Sequence, residues 1–260
     1  MILKKWCDIP EDLKNNKTKI YYDILEKKKT SLIIKEIFDL LLSLILLIIL
    51  LPVFIVLSII IKLDSKGPIF YKQERITQYG RTFKIFKFRT MVNNADKIGS
   101  LVTLDNDCRI TRVGKILRKL RLDELPQLIN ILKGDMTFVG TRPEVKKYVD
   151  MYTDEMKATL LLPAGVTSDA SIKYKNEDNV VSTYMSKGED LDDIYIRRVL
   201  PQKMKYNLEY INDFSFLKDM KIIIKTALAV LNISKEEKVV VKQNTKTKEM
   251  LSNEVLTKKQ

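Results

Sequence analysis

From Leu40 to Ile61 the chain runs through 22 residues broken only by Ser43, Pro52 and Ser58. The run is apolar on every face, which rules out an ordinary amphipathic surface helix. A straight helix of that length would be roughly 33 Å long, enough to cross the hydrocarbon core of a bilayer. Two features oppose a plain crossing. Pro52 lies near the middle, where its missing N–H and its ring kink a helix. Both flanks are basic, with Lys27, Lys28, Lys29 and Lys35 ahead and Lys62, Lys66, Lys72 and Arg75 behind. Positive charge keeps a flank on the cytoplasmic side. A re-entrant helix bent at Pro52 and returning to the same face satisfies both facts. Each of its arms, roughly ten residues long, would reach half-way into the hydrocarbon. A proline-kinked span satisfies the length alone, and elementary physics leaves the two open. No cleavable signal peptide is expected, because the apolar run starts late and no small-residue cleavage site follows it.

Charge narrows the partners. The 260 residues hold 46 Lys+Arg against 33 Asp+Glu, a net charge of +13. Such an excess points to phosphates, whether of nucleic acid, anionic lipid or a nucleotide-type substrate, although solvating lysines give the same count. No nucleic-acid motif accompanies it, so nucleic acid is not an expected partner. There is no histidine, which excludes Ser-His and Cys-His catalysis and His-ligated zinc. Acid–base work falls to carboxylates, Lys, Tyr or water. Cys7 and Cys108 form neither a metal-type pair nor a disulfide framework, in keeping with a reducing, cytoplasmic setting.

The chemistry concentrates in residues 118–144. Asp123 and Glu124 are adjacent where a helix should begin: Asp is a favoured N-cap, and Pro126 belongs to a first turn. Leu125, Leu128, Ile129 and Leu132 recur at helical spacing, and Gly134 can end the helix. Arg118 and Arg121 lie just upstream, and Arg142 comes from the next loop. An anionic nucleophile ringed by guanidinium groups suits attack on a phosphate. On this window alone an N-cap with surface ion pairs is the favoured reading.

Elsewhere, residues 1–36 read as a basic segment with a short helix or an interfacial stretch. Ile69–Tyr71 and Phe83–Phe88 read as two short strands, with Lys84, Lys87 and Arg89 on a basic side. Asn93–Leu120 reads as helix and loop, its last stretch apolar at Ile116, Leu117 and Leu120 and basic at Lys115, Arg118, Lys119 and Arg121. Phe216–Val230 reads as an amphipathic helix fit for the core or a membrane surface. Residues 233–260 read as a polar, disordered tail.

Taken together, these pieces resemble the bacterial sugar transferases, the small monotopic phosphoglycosyl transferases, over about residues 31–230. The likeness rests on the Pro-broken helix followed by Lys62-Leu-Asp64-Ser-Lys-Gly67-Pro68; on Phe83-Lys-Ile-Phe-Lys87-Phe-Arg89-Thr-Met; on Asp107-Cys-Arg109-Ile-Thr-Arg112-Val-Gly114; on Leu122-Asp123-Glu124-Leu-Pro126-Gln; and on Lys133-Gly-Asp135-Met-Thr-Phe-Val-Gly140-Thr-Arg142-Pro143. Departures are Leu51 before the kink proline, Thr141 before Arg142, and Cys108. The resemblance implies an α+β, predominantly helical fold: a basic segment 1–36, a re-entrant membrane helix 37–63, a compact cytoplasmic catalytic domain 64–232 with interfacial amphipathic helices, and the tail. It implies transfer of a sugar 1-phosphate from a UDP-sugar to undecaprenyl phosphate, with release of UMP, at the cytoplasmic face of a bacterial cell membrane. Asp123 matches the nucleophile and a ligand of the required Mg²⁺. Glu124 matches its partner, as general base or local organiser. Arg118 matches a phosphate contact, and Arg142, Lys87 and Arg89 match contacts to diphosphate or lipid phosphate. The sugar, the glycan served and any homo-oligomer stay open. Two other readings are a non-enzymatic membrane adaptor and a sugar-nucleotide enzyme with a soluble acceptor.

Overall fold

The computed structural model describes residues 3–95, 107–174, 177–186 and 188–229. The chain divides into a unit Met1–Ile223 and a second unit Ile224–Gln260. Of the second, residues 224–229 are described and are helical; the polar tail expected at 233–260 lies outside the described residues.

The basic N-terminal segment is part of the main body. Asn15 caps α1 (Asn16–Lys27) by accepting from Thr18 N at 2.8 Å. Thr18, Tyr21, Tyr22 and Leu25, spaced three and four apart, form the buried stripe. Thr18 Oγ1 donates to Asp154 O at 3.2 Å and the Tyr21 hydroxyl to Glu155 Oε1 at 2.8 Å, fastening α1 to the middle of the chain.

The apolar run forms two helices, α2 (Lys29–Ile49) and α3 (Leu51–Asp64), bent by 62°. The break falls at Leu50, and Pro52 takes a place in the first turn of α3, where its absent N–H leaves no intrahelical bond unmade. The pair therefore begins earlier than the expected 37 and breaks two residues before the expected Pro52. No single described helix is long and apolar enough to cross a membrane.

The polarity of α2 is inverted. Ile33, Ile34, Ile37, Leu41, Ile45 and Ile48 are exposed, while the buried face is Leu32, Lys35, Asp39 and Ser43. Lys35, expected in the basic flank, is 3% exposed, and its Nζ lies 3.2 Å from Asp39 Oδ2 and 2.7 Å from Asp219 Oδ2. Thr137 Oγ1 donates to Asp39, and the Tyr210 hydroxyl donates to Asp219 Oδ1 at 2.7 Å. Asp219 belongs to the helix over residues 216–223 that closes the first unit. Burial pushes the Asp219 carboxyl up, against the pull of Lys35 and the Tyr210 hydroxyl.

After α3 the chain makes an antiparallel hairpin, β1 (Phe70–Ile76) with β2 (Thr82–Phe88), in register from Phe70↔Phe88 to Ile76↔Thr82. Its turn needs two positive φ angles, at Tyr79 (58°) and Gly80 (74°). Then follow α4 (Arg112–Lys119), capped by Thr111, and α5 (Gln127–Leu132). A strand β3 (Met136–Val139), the short α6 (Lys146–Val149) and β4 (Ala164–Thr167) come next, with β3 and β4 parallel. The strands close in at Gly140 and Gly165, where a Cβ on Gly165 would fall 2.2 Å from Gly140 N. The chain then runs through α7 (Asp169–Lys173), α8 (Glu177–Met185), α9 (Leu191–Ile194), a π-helical turn Tyr195–Val199 and α10 (Leu200–Asn212). The fold is thus mixed helix and sheet, mostly helical, with two two-stranded sheets.

Three apolar clusters hold these elements. α1 and α10 share the largest, with residues 158–162 between them. Phe83 and Ile85 of β2 meet Leu128 and Ile131 of α5, with Leu46, Leu47 and Leu50 of the bent pair against them. Phe54 and Ile61 of α3 meet Phe88 and Leu117, with Leu122 and Leu125 packed alongside. Leu50, at the bend, touches both of the last two clusters.

Removing one member of a buried ion group strands the others in the interior. Lys35→Ala is expected to cost about 3–5 kcal/mol of stability, read by denaturant unfolding of the purified protein. A loss under about 1 kcal/mol would mean that water already reaches the group.

Candidate active site

The two carboxylates sit on a turn built by strain and close packing. Thr111 Oγ1 accepts from Gly114 N at 3.0 Å, and Thr111 N donates to Thr90 O at 3.0 Å. α4 comes so close to Thr90 that a Cβ on Gly114 would lie 2.0 Å from Thr90 O. Arg118 Nε donates to Thr90 Oγ1 at 2.9 Å. α4 then ends, and Arg121 adopts the left-handed conformation (φ 56°, ψ 19°), uncommon for a residue with a side chain. That reversal throws Leu122–Glu124 into a 3-10 turn ahead of α5.

Asp123 is therefore not the helix cap that its position suggests. α5 begins at Gln127, its cap position is Pro126, and no side chain caps it. Among the described residues Asp123 takes part in no hydrogen bond or ion pair, although it is only 7% exposed. Glu124 is the opposite. Arg142 Nη2 donates to Glu124 Oε1 at 2.5 Å, Arg142 Nη1 to Oε2 at 3.5 Å, and Lys87 Nζ to Oε1 at 3.1 Å.

The two neighbours are consequently pushed in opposite directions. Burial raises the Asp123 carboxyl, the Glu124 charge adds to that, and Lys87, Arg118 and Arg121 oppose it. Burial works on Glu124 as well, but Arg142 and Lys87 outweigh it and hold the carboxyl well below the usual carboxylate range. Glu124 in return raises Arg142 above its ordinary value. Lys87 is lowered by burial, in part offset by Glu124. Such divergence marks pairs of acids with different tasks.

Of the residues singled out in the sequence, Asp123, Glu124, Arg142 and Lys87 converge. Arg118 is fastened to Thr90, close enough for its charge to act on Asp123. Arg89 goes elsewhere. Its Nη2 donates to Ile61 O at 3.3 Å, Ser65 O at 2.6 Å and Ser65 Oγ at 3.0 Å, closing the end of α3, and the residue is buried. A Cβ on Gly67 would lie 2.1 Å from its Nη1. The position expected to meet a phosphate thus fastens the bent helix to β2.

Sequence reasoning overlooked Asn130. It is fully buried, its Nδ2 donates to Lys84 O at 2.9 Å, and its Oδ1 accepts from Phe86 N at 2.9 Å. The amide thereby clips α5 to the strand that delivers Lys87. A lone polar residue within Leu128-Ile129-Asn130-Ile131-Leu132 is the signal that would have found it.

Among the described residues no three His, Cys, Asp or Glu side chains gather as a metal cage. Mg²⁺ is commonly held by one or two carboxylates together with substrate phosphates. Asp123, whose carboxylate has no protein partner, fits that role, whereas Glu124 is saturated.

Comparison with known proteins identifies the family. A family model described as bacterial sugar transferase matches residues 30–233, and the chain belongs to that family of enzymes. It is 36% identical over 201 residues to a UDP-N-acetylgalactosamine-undecaprenyl-phosphate N-acetylgalactosaminephosphotransferase of Aeromonas hydrophila, covering 76% of this chain and 44% of that protein. It is 32% identical over 200 residues to the uncharacterized sugar transferase EpsL of Bacillus subtilis, covering 77% and 88%. An undecaprenyl-phosphate galactose phosphotransferase of Salmonella typhimurium is 33% identical over 219 residues, covering 78% and 42%. The chain spans less than half the length of the Aeromonas and Salmonella proteins.

Asn130→Ala leaves Phe86 N and Lys84 O of β2, both partly buried, without their side-chain partner. The expected loss is about 2–3 kcal/mol of unfolding free energy, with Lys84–Phe86 amides exchanging faster than those of β3. Equal exchange in both strands would separate Asn130 from the placing of Lys87.

Proposed function

We propose that the protein transfers a sugar 1-phosphate from a UDP-sugar to undecaprenyl phosphate, at the cytoplasmic surface of a bacterial membrane. The single observation behind this is the unequal pair: Asp123 unpartnered in a half-closed cationic site, Glu124 fully engaged. In the first step an Asp123 oxygen attacks the phosphorus that bears the sugar. The bond from that phosphorus to the bridging oxygen breaks, and UMP leaves with the electron pair. An acyl phosphate then joins Asp123 to the sugar phosphate. In the second step a phosphate oxygen of undecaprenyl phosphate attacks the same phosphorus and frees the carboxylate. A nucleophile on the protein divides a difficult transfer into two in-line steps.

The protein's remaining task is to offset charge and hold position, as in other phosphoryl transfers. Arg142 and Lys87, gathered on Glu124, would meet the diphosphate, and the charge of Arg118 also acts on Asp123. Glu124, doubly bonded to cations and held ionised, serves as organiser of Arg142 and Lys87 and not as general base. Bound Mg²⁺ would offset charge on the diphosphate, held by Asp123 and the phosphates. The names of the Aeromonas and Salmonella relatives support polyprenyl phosphate as acceptor, and they differ in the sugar.

The bent helix pair supplies the membrane reading. Its outward surface is apolar, from Ile33 through Leu63 at 82% exposure, and water gives such a surface no compensation. The 62° bend supports an elbow whose two ends lie on one side of the bilayer, with a broken span as the other topology of the same bend.

Without acceptor, the wild type should release UMP in a burst that stops at one equivalent per protein. Asp123→Asn should abolish the burst and Asp123→Glu should leave under about 1% of turnover. Wild-type-like release by Asp123→Asn removes Asp123 from the nucleophile's role, and no release by the wild type favours a non-enzymatic adaptor.

Topology has its own check. In a background lacking the exposed Cys7 and Cys108, Thr30→Cys and Lys66→Cys should show the same labelling by a membrane-impermeant thiol reagent in intact cells. Opposite labelling would establish a true span.

A further inference from the structure

The loop that carries Arg142 is gripped from two sides. On the β4 side, Gly140 N donates to Thr167 O at 3.0 Å and Gly165 N to Thr141 O at 2.8 Å. On the other, three donors meet at Pro143 and Glu144. Arg75 Nη1 reaches Pro143 O at 3.2 Å, Ile76 N reaches Glu144 O at 2.9 Å, and the Tyr195 hydroxyl reaches Glu144 Oε1 at 2.5 Å. Arg75 Nη1 also stands 3.9 Å from Glu144 Oε2. Glu144 is 7% exposed, so its charge depends on these partners.

Tyr195 is itself fixed. Its ring packs against Tyr148 with centroids 4.6 Å apart, and Lys203 Nζ donates to its hydroxyl at 3.3 Å. It opens the π-helical turn Tyr195–Val199. A π turn inserts an extra residue into a helix and is frequent at functional sites. Here the insertion sets the rotation of α9 against α10 and brings the phenol to Glu144.

We infer that Glu144, held by Tyr195 and Arg75, is a positioning residue for Arg142: the grip on Pro143 and Glu144 aims the guanidinium at the dyad. The grip is a property of the structure, while its catalytic consequence rests on the reaction proposed above. The Glu144 charge acts on Arg142 and raises it, and the Arg142→Ala background tests whether an effect on turnover passes through that guanidinium.

Tyr195→Phe and Glu144→Gln test this in the full-length protein. Amide exchange over residues 140–145 needs no donor and should quicken about fivefold in Tyr195→Phe. UMP release should show kcat/KM for the donor falling about tenfold in Tyr195→Phe, and less than about twofold when the same change is made in Arg142→Ala. Glu144→Gln keeps an acceptor for the phenol and should fall between wild type and Tyr195→Phe. Unchanged exchange at 140–145 overturns the inference, as does a tenfold loss that persists without Arg142. Should exchange quicken everywhere in Tyr195→Phe, Glu144→Gln decides: a local change at 140–145 supports the grip and none refutes it. A wild type that releases no UMP, with exchange still quickened at 140–145, removes the proposed reaction and leaves the grip standing.

Discussion

Lys35 meets Asp39 and Asp219 where α2 turns charge inward, and that contact decides how the longest helix sits on the rest of the molecule. An ordinary surface helix seats itself by burying apolar residues. α2 keeps most of its isoleucines and leucines outside, so apolar burial cannot orient it along its first half. Two carboxylates around one ammonium do so instead, with the Thr137 and Tyr210 hydroxyls completing the set. Each charge is too buried to be left alone, so rotating α2 would cost more than the pair itself contributes. Thr137 lies in β3, which leads through Gly140 to Arg142. The seating of the outward-facing helix and the placing of a site cation therefore share one polar knot.

The site obeys the same rule on a smaller scale: polar groups fix geometry, and one is left free. Thr90 holds α4 through Thr111 and Arg118, while Asn130 holds α5 to β2. Between these anchors the chain has only a few residues in which to turn, and the left-handed Arg121 absorbs the reversal. Lys87 and Arg142 then arrive from different elements and both settle on Glu124. With two cations engaged there, Asp123 keeps its proton more readily than its neighbour and keeps its oxygens unoccupied. The saturation of one carboxylate leaves the other free of protein partners, the state in which the proposed reaction needs it.

Much of this was legible in the sequence where a single residue type forces local geometry. The apolar run broken by a proline announced a bent helix, although the break sits at Leu50 because proline is best tolerated just inside a helix start. The alternating stretch at Phe83–Phe88 announced a strand, and Arg142 and Lys87 were visible as cations near an acidic pair. What escaped was non-local or conformational. Lys35 looked like one more flanking charge because Asp219 is remote in the chain. Asp123 looked like a cap because Arg121 gives no sign of a positive φ. β3 and β4 are four residues each and parallel, too short for periodicity to show. Arg89 lay in a run of basic residues, and its bonds to Ile61 O and Ser65 at the end of α3 are non-local contacts that the run does not announce.

The bend and the carboxylate pair are mechanically close. Leu122 and Leu125, which flank the pair, pack in the cluster that holds Phe54 and Ile61 of α3 and admits Leu50 from the break. Leu50 also enters the cluster under β2 and α5. A change in the angle between α2 and α3 would therefore press on both sides of the catalytic turn at once, since packed interiors pass displacement on instead of absorbing it. In the proposed reaction, one phosphate comes from water and the other is tethered to lipid, and both must reach the same oxygen atoms. A turn braced on its polar side by Arg142 and Lys87, and on its apolar side by the elbow of the bent pair, would hold that carboxylate at the boundary between the two phases with the pair half-inserted as proposed. In that reading the elbow does more than anchor the protein: it sets the height at which the chemistry occurs.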